Sequence, residues 1–269
     1  MKNMTQIQLE FARLIEIMET LRSPDGCPWD REQTYESLRQ YLLEETYEVL
    51  ELIDSKNYDE LKSELGDLLL QVIFQSQIAE EEGRFSILDV LMRINQKLIH
   101  RHSNVFGDVL VRNAAEQTVN WEKMKQQENH ERSVIDGVPR ELSALLRAHR
   151  IQAKAATVGF DWQNAQQVWQ KLEEELGELK QAIAQSNQAE IELEFGDLLF
   201  TMVNLSRFIG VNPEDALRKA IEKFVTRFRE LENEVIRTHN TFDNLDLEAM
   251  DEIWEQVKIK AQTQKKSNG

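Results

Sequence analysis

With 269 residues, the chain has room for one large domain or two ordinary ones, and 41% apolar residues suffice to build real cores. Few breakers, 10 Gly and 4 Pro, beside abundant Glu, Leu, Gln, Ala and Lys indicate a mostly helical chain. A formal net charge of -16 argues against a general nucleic-acid binder, whose affinity comes from neutralising phosphates with Lys and Arg. The same charge repels a phosphate substrate, so such a substrate requires local cations or bound metal.

The N-terminus, MKNMTQIQLEF, lacks the continuous apolar core of a signal peptide. Helical periodicity then predicts helices near 5–22, 35–54, 58–82, 86–103 and 114–128. Between the first two lies DGCPWD with Cys27, the single cysteine. No disulfide within one chain is possible, and a reducing cytosol is the expected compartment. The stretch QQENHERSVIDGVPR, residues 126–140, is polar and carries Gly137 and Pro139, which marks a linker. Pro139 is expected to open the next helix, where its missing N–H costs nothing. Helices follow near 139–156, 164–185, 188–209, 213–236 and 246–262. Strand alternation is absent, and no run of about 18 apolar residues signals a membrane span. The expected domains are 1–130 and 131–269.

The two halves repeat. YLLEETYEVLELI (41–53) aligns with KLEEELGELKQAI (171–183), matching Glu44, Glu45 and Glu48 to Glu174, Glu175 and Glu178. ELGDLLL aligns with EFGDLLF, matching Glu64 and Asp67 to Glu194 and Asp197. The offset is 130 at every one of these positions. Further on, Lys97 and Arg101 pair with Lys223 and Arg227, and Trp121 and Lys125 with Trp254 and Lys258. Trp29 and Asp30 have counterparts in Asp161 and Trp162. Recurrence in the same order implies a tandem duplication, with a period far too long for a solenoid.

Residues three or four apart share a helix face, so each acidic segment presents a carboxylate pair. The midpoints between paired segments, DSKNYD and AQSNQA, are polar and turn-like. Each pair then sits roughly 12 Å along its helix from the turn at 1.5 Å per residue. In an antiparallel hairpin the pairs face each other, and four carboxylates converge. Bordering leucines partly dehydrate them, and crowded like charges force some to protonate unless a cation intervenes. Oxygen-only ligands favour Mg²⁺, with Mn²⁺ as substitute. A lone acidic pair on a charged helix is ordinarily a solvated face; two facing pairs, repeated at identical spacing, argue otherwise. Lys97 with Arg101, and Lys223 with Arg227, suit a polyphosphate beside such a metal. A surface charge ladder fits them equally. Trp121 with Lys125, and Trp254 with Lys258, fit a base-stacking platform or a core anchor. Asp30 and Asp161 suit a cap on the turn before a helix, or else the orientation of a ligand group, with the cap preferred.

Taken together, EExxE followed by ExxD, later KxxxR and WxxxK, and the GFDW entry resemble the MazG nucleoside triphosphate pyrophosphohydrolases. DGCPWD and RHSNVFGD are similar to that family's tandem members, although the family often reads RHPHVF at the second stretch. The resemblance covers nearly the whole chain. It implies two tandem copies of an all-α NTP pyrophosphatase domain, Mg²⁺ dependence, a homodimer, and conversion of NTPs to NMP and pyrophosphate.

The expected mechanism is metal-assisted attack of water on the α-phosphorus. Glu175, Glu178, Glu194 and Asp197 hold the metal, and Glu174 or a neighbour takes the proton. Lys223 and Arg227 meet the charge of the leaving pyrophosphate, while Trp254 and Lys258 hold the nucleoside end. Glu45, Glu48, Glu64 and Asp67 form the matching set in the first half, with Lys97, Arg101, Trp121 and Lys125. Both halves keep their acids, with a slight preference for the second as the active one. A non-catalytic nucleotide sensor and a structural helical dimer fit the same residues. A carboxylate di-iron enzyme fits less well, because neither acidic hairpin contains histidine.

Overall fold

A computed structural model describes residues 3–107, 113, 116–117, 121, 124, 133–239 and 241–267. The described residues contain helices and turns and no strand. The chain divides into two compact units, Met1–Arg112 and Asn113–Gly269.

The first unit carries α1 (Met4–Arg22), α2 (Pro28–Glu32), α3 (Leu38–Ser55), α4 (Tyr58–Glu81), α5 (Ile87–Arg101) and α6 (Ser103–Phe106). The helices α3 and α4 pack as a hairpin, with α1 and α5 against α4. Met18, Leu38, Ile73, Phe74 and Ile78 form its core, bordered by Phe11, Leu14, Tyr35, Tyr41, Leu70 and Ile87. In the second unit, α7 (Ala144–Ala156) packs on α9 (Gln188–Phe208), which pairs with α8 (Ala165–Gln185). Then α10 (Pro213–His239), a 3₁₀ turn (Phe242–Asn244) and α11 (Leu247–Ser267) follow. Leu231, Val235, Ile253 and Val257 form a core between α10 and α11.

The hairpin turns explain why the acids meet. Both α3 and α8 end in a single left-handed residue, Lys56 (φ 57°) and Ser186 (φ 54°). The next residue, Asn57 or Asn187, caps the following helix, its side chain accepting from the backbone N–H of Glu60 or Glu190. These caps satisfy donors that a helix start leaves unpaired. Replacing Asn187 by Ala is expected to cost about 1 kcal/mol in a denaturant titration. An unchanged midpoint would show that the cap contributes nothing.

Two expectations are corrected here. Pro139 does not open a helix: α7 begins at Ala144 after Ser143, whose hydroxyl donates to Glu214 at 2.5 Å on α10. Asp30 lies inside the short helix α2, and Asp161 is not a helix cap, because Asn164 caps α8. The helix expected over 114–128 lies largely outside the described residues.

Candidate active site

A buried stripe runs along α8 through Val168, Glu175, Leu179 and Ala182. The spacing is that of one helix face, so Glu175 occupies a position that packing alone would give to an apolar residue. On α3 the same stripe runs Leu38, Glu45, Val49, with Glu45 partly buried. Asp197 shares a face of α9 with buried Thr201 and Leu205, and Asp67 shares a face of α4 with buried Gln71, Phe74 and Ile78. Glu175 and Glu45 thus stand within the apolar stripes of their helices, and Asp197 and Asp67 stand at the end of theirs.

Carboxylate oxygens of Glu45, Glu64 and Asp67 lie within 4.8 Å of one another, as do those of Glu175, Glu194 and Asp197. Two oxygens on opposite sides of a small divalent ion are separated by about 4–5 Å, so both groups suit one. The donor set is oxygen only, which fits Mg²⁺ or Mn²⁺. Glu48 and Glu178 are drawn in electrostatically. A hydrogen bond with Glu48, then burial and the charges of Glu48, Asp67 and Glu45, push Glu64 above the ordinary carboxylate range. Burial first, then Asp67, Glu48 and Glu44, does the same to Glu45. Burial and the charges of Glu178, Glu175, Asp197 and Glu190 raise Glu194. Crowded carboxylates that hold protons more tightly than usual are sites a cation would relieve.

The second group has a cation that sequence reasoning overlooked. Lys171 Nζ lies 2.7 Å from Glu174 Oε1 and 2.8 Å from Glu175 Oε1, with the Glu175 side chain only 6% exposed. Those contacts hold the Lys171 ammonium charged well above its usual range. At the 130-residue offset the first half carries Tyr41, which meets Trp29 edge-on at 5.7 Å. Replacing Lys171 by Met is expected to destabilise the metal-free protein by about 1–3 kcal/mol, because a buried carboxylate loses its partner. Thermal melts with and without Mg²⁺ check this: the deficit should shrink with the ion present, and an equal deficit in both would contradict it.

A cavity of about 640 Å³ opens beside this group, lined by Lys171, Glu175, Asp197, Gln152, Asn204 and Trp162 among others. Arg207 and Asp161 close one side with an ion pair of 2.6 Å. Asp161 Oδ1 also accepts from the backbone N–H of Trp162 at 3.0 Å, in the turn before α8.

The cationic and aromatic residues lie elsewhere. Lys223 is exposed and Arg227 partly buried on α10, and Trp254 packs into the α10–α11 core with Phe224 at 5.3 Å. Lys258 pairs with Glu255. Among the described residues none of these four lines the 640 Å³ cavity. Lys97 lines a separate groove of about 880 Å³ between α1, α4 and α5, and Arg101 is partly buried at the end of α5. Trp121 is partly buried, and Lys125 lies outside the described residues.

The MazG nucleotide pyrophosphohydrolase domain model matches residues 33–106 and again residues 163–231, one acidic hairpin in each. The chain belongs to the MazG family. A Thermotoga maritima protein named nucleoside triphosphate pyrophosphohydrolase/pyrophosphatase MazG is 49% identical over 95% of this chain and 98% of its own length. An Escherichia coli nucleoside triphosphate pyrophosphohydrolase is 46% identical over 91% of this chain and 96% of its own. The uncharacterized protein YabN of Bacillus subtilis is 41% identical over 93% of this chain but 52% of its own length. The all-α MazG domain therefore occurs twice in tandem, once in each unit.

Proposed function

We propose that this MazG-family chain hydrolyses nucleoside triphosphates to nucleoside monophosphates and pyrophosphate in the cytosol. The observation that carries this reading is the carboxylate group Glu175, Glu194 and Asp197, of which Glu175 and Asp197 line one cavity with Lys171. The names of the Thermotoga and Escherichia relatives support the substrate class. Glu175, Glu178, Glu194 and Asp197 would hold the divalent ion in the second domain, and Glu45, Glu48, Glu64 and Asp67 in the first, with domain limits of 1–130 and 131–269. A bound Mg²⁺ supplies Lewis acidity toward phosphate oxygens and lowers the pKa of a coordinated water.

The remaining roles belong to the protein. Glu174, one residue from the buried ligand, takes the proton of the attacking water. Lys171 lines the same cavity and offsets phosphate charge that a chain of net charge -16 otherwise repels. Lys223, Arg227, Trp254 and Lys258 reach the substrate from a second copy of the chain. Support for a homodimer comes from α10, where Leu217, Ile221, Phe224 and Phe228 form an exposed apolar stripe at helical spacing. No described helix is long and apolar enough to cross a membrane.

The test is product analysis by phosphorus NMR with several NTPs and Mg²⁺. Monophosphate and pyrophosphate support the reading. Diphosphate and phosphate contradict it, and unchanged triphosphate, with Mn²⁺ also tried, favours a nucleotide sensor or structural dimer.

A further inference from the structure

The 640 Å³ cavity has a second polar wall away from the carboxylates. Gln152 of α7 is 5% exposed and lines it. Its Nε2 donates to the Phe200 carbonyl at 2.8 Å, which fixes which way the amide faces. Its Oε1 is buried and meets no donor among the described residues. A buried acceptor without a donor is costly, and an N–H from a molecule in the cavity would relieve that cost. Asn204 also lines the cavity, its Oδ1 already accepting from Arg207 Nη1 at 3.1 Å. Ile151, Ala155 and Trp162 supply flat apolar surface between them.

The first unit is built differently at the same offset of 130, where Arg22 stands for Gln152 and Phe74 for Asn204. Arg22 pairs with Glu81 at 2.6 Å and sits 5.5 Å over the Phe74 ring. Its guanidinium also donates to the Asp30 carbonyl. At these two positions a satisfied cation over an aromatic core residue stands in place of the open acceptor, although Gln71 Oε1, at the position of Thr201, is also buried without a donor among the described residues.

We propose that Gln152 is a base-recognition residue of the second unit: its Oε1 accepts a hydrogen bond from the exocyclic amino N–H of adenine or cytosine, with the base lying against Ile151, Ala155 and Trp162. This rests on reading the cavity as a nucleotide site, and it adds which end of the nucleotide the α7 wall holds. A site that hydrogen-bonds a ligand N–H discriminates strongly against an analogue lacking it.

The test uses nucleosides without phosphates, so it does not depend on turnover. Binding to the full-length protein is measured by calorimetry for adenosine against purine riboside, and for cytidine against pyrimidin-2-one riboside. Each second member lacks only the amine. The wild type should prefer the amino member of at least one pair by roughly tenfold to a hundredfold. Gln152→Met should bind both members of that pair equally. The same variant should raise the KM for the corresponding triphosphate while leaving inhibition by inorganic tripolyphosphate unchanged. Equal binding within both pairs by the wild type, or a preference that survives in Gln152→Met, overturns the proposal. Equal binding by the wild type overturns the proposal even if Gln152→Met does not fold, and Gln152→Leu, which also lacks the acceptor, then replaces that variant. A wild type that binds nucleosides selectively yet turns over no triphosphate would refute the hydrolase reading and leave this one standing.

Discussion

Asp197→Ala should abolish NTP turnover, while Asp67→Ala leaves most of it. Asp197 completes the carboxylate group that shares a cavity with Lys171, and its removal takes one oxygen donor from that group. Metal-assisted charge stabilisation is worth several kcal/mol, so kcat/KM should fall on the order of 10³-fold or more. Asp67 belongs to the group whose neighbour at the Lys171 position is Tyr41, which offers no positive charge. Both variants are assayed at matched Mg²⁺, with melting curves to show that each folds. The reverse pattern, a dead Asp67→Ala and a normal Asp197→Ala, would move the catalytic site to the first domain. Equal partial losses would mean that both domains turn over substrate.

Divalent ions should stabilise the protein through both groups. At a free concentration one hundred times Kd, each site contributes about 2.7 kcal/mol. Asp67→Asn and Asp197→Asn should each remove one site's share of the rise in melting temperature, and the double variant nearly all of it. The pH dependence follows from the direction of the carboxylate shifts. Glu45, Glu64 and Glu194 are raised in the folded state by burial, a shared hydrogen bond and mutual repulsion. A raised folded value means their contribution favours folding below the ordinary Glu value of about 4.3 and is lost as pH rises through the raised values. Metal-free protein should therefore lose part of its stability between acid and neutral pH, and Mg²⁺ should restore it. Protons and metal compete for the same oxygens, so apparent Mg²⁺ affinity should fall as pH drops into that window. A melting temperature that ignores both Mg²⁺ and Mn²⁺ would contradict the metal reading of the acids.

How much of this was legible in the sequence depends on the range of the interaction. A spacing of three residues brings Glu64 near Asp67 and Glu45 near Glu48 by helix geometry alone, and the DSKNYD and AQSNQA midpoints mark the turns. Those features need no tertiary information. Lys171 was equally visible, four residues before Glu175, but such a pair reads as an ordinary helix surface until the burial of Glu175 is known. Gln152 gave no signal at all. A glutamine in an amphipathic helix reads as solvent-facing, and only packing of α7 on α9 puts it against the Phe200 carbonyl. Asp161 misled for a related reason: a short acidic side chain before a helix suits a cap, yet Arg207, 46 residues on, holds it. Lys223, Arg227, Trp254 and Lys258, on α10 and α11, do not line the cavity, and a spacing of four residues within a helix does not say which other elements that helix faces.

Hydrolysis of an NTP in ¹⁸O-enriched water, followed by phosphorus NMR of the products, tests directly whether water attacks the α-phosphorus in the second domain. The label should enter the nucleoside monophosphate, pyrophosphate should carry none, and Asp197→Ala should yield neither product. Label in pyrophosphate would mean attack at the β-phosphorus and would contradict the proposed mechanism.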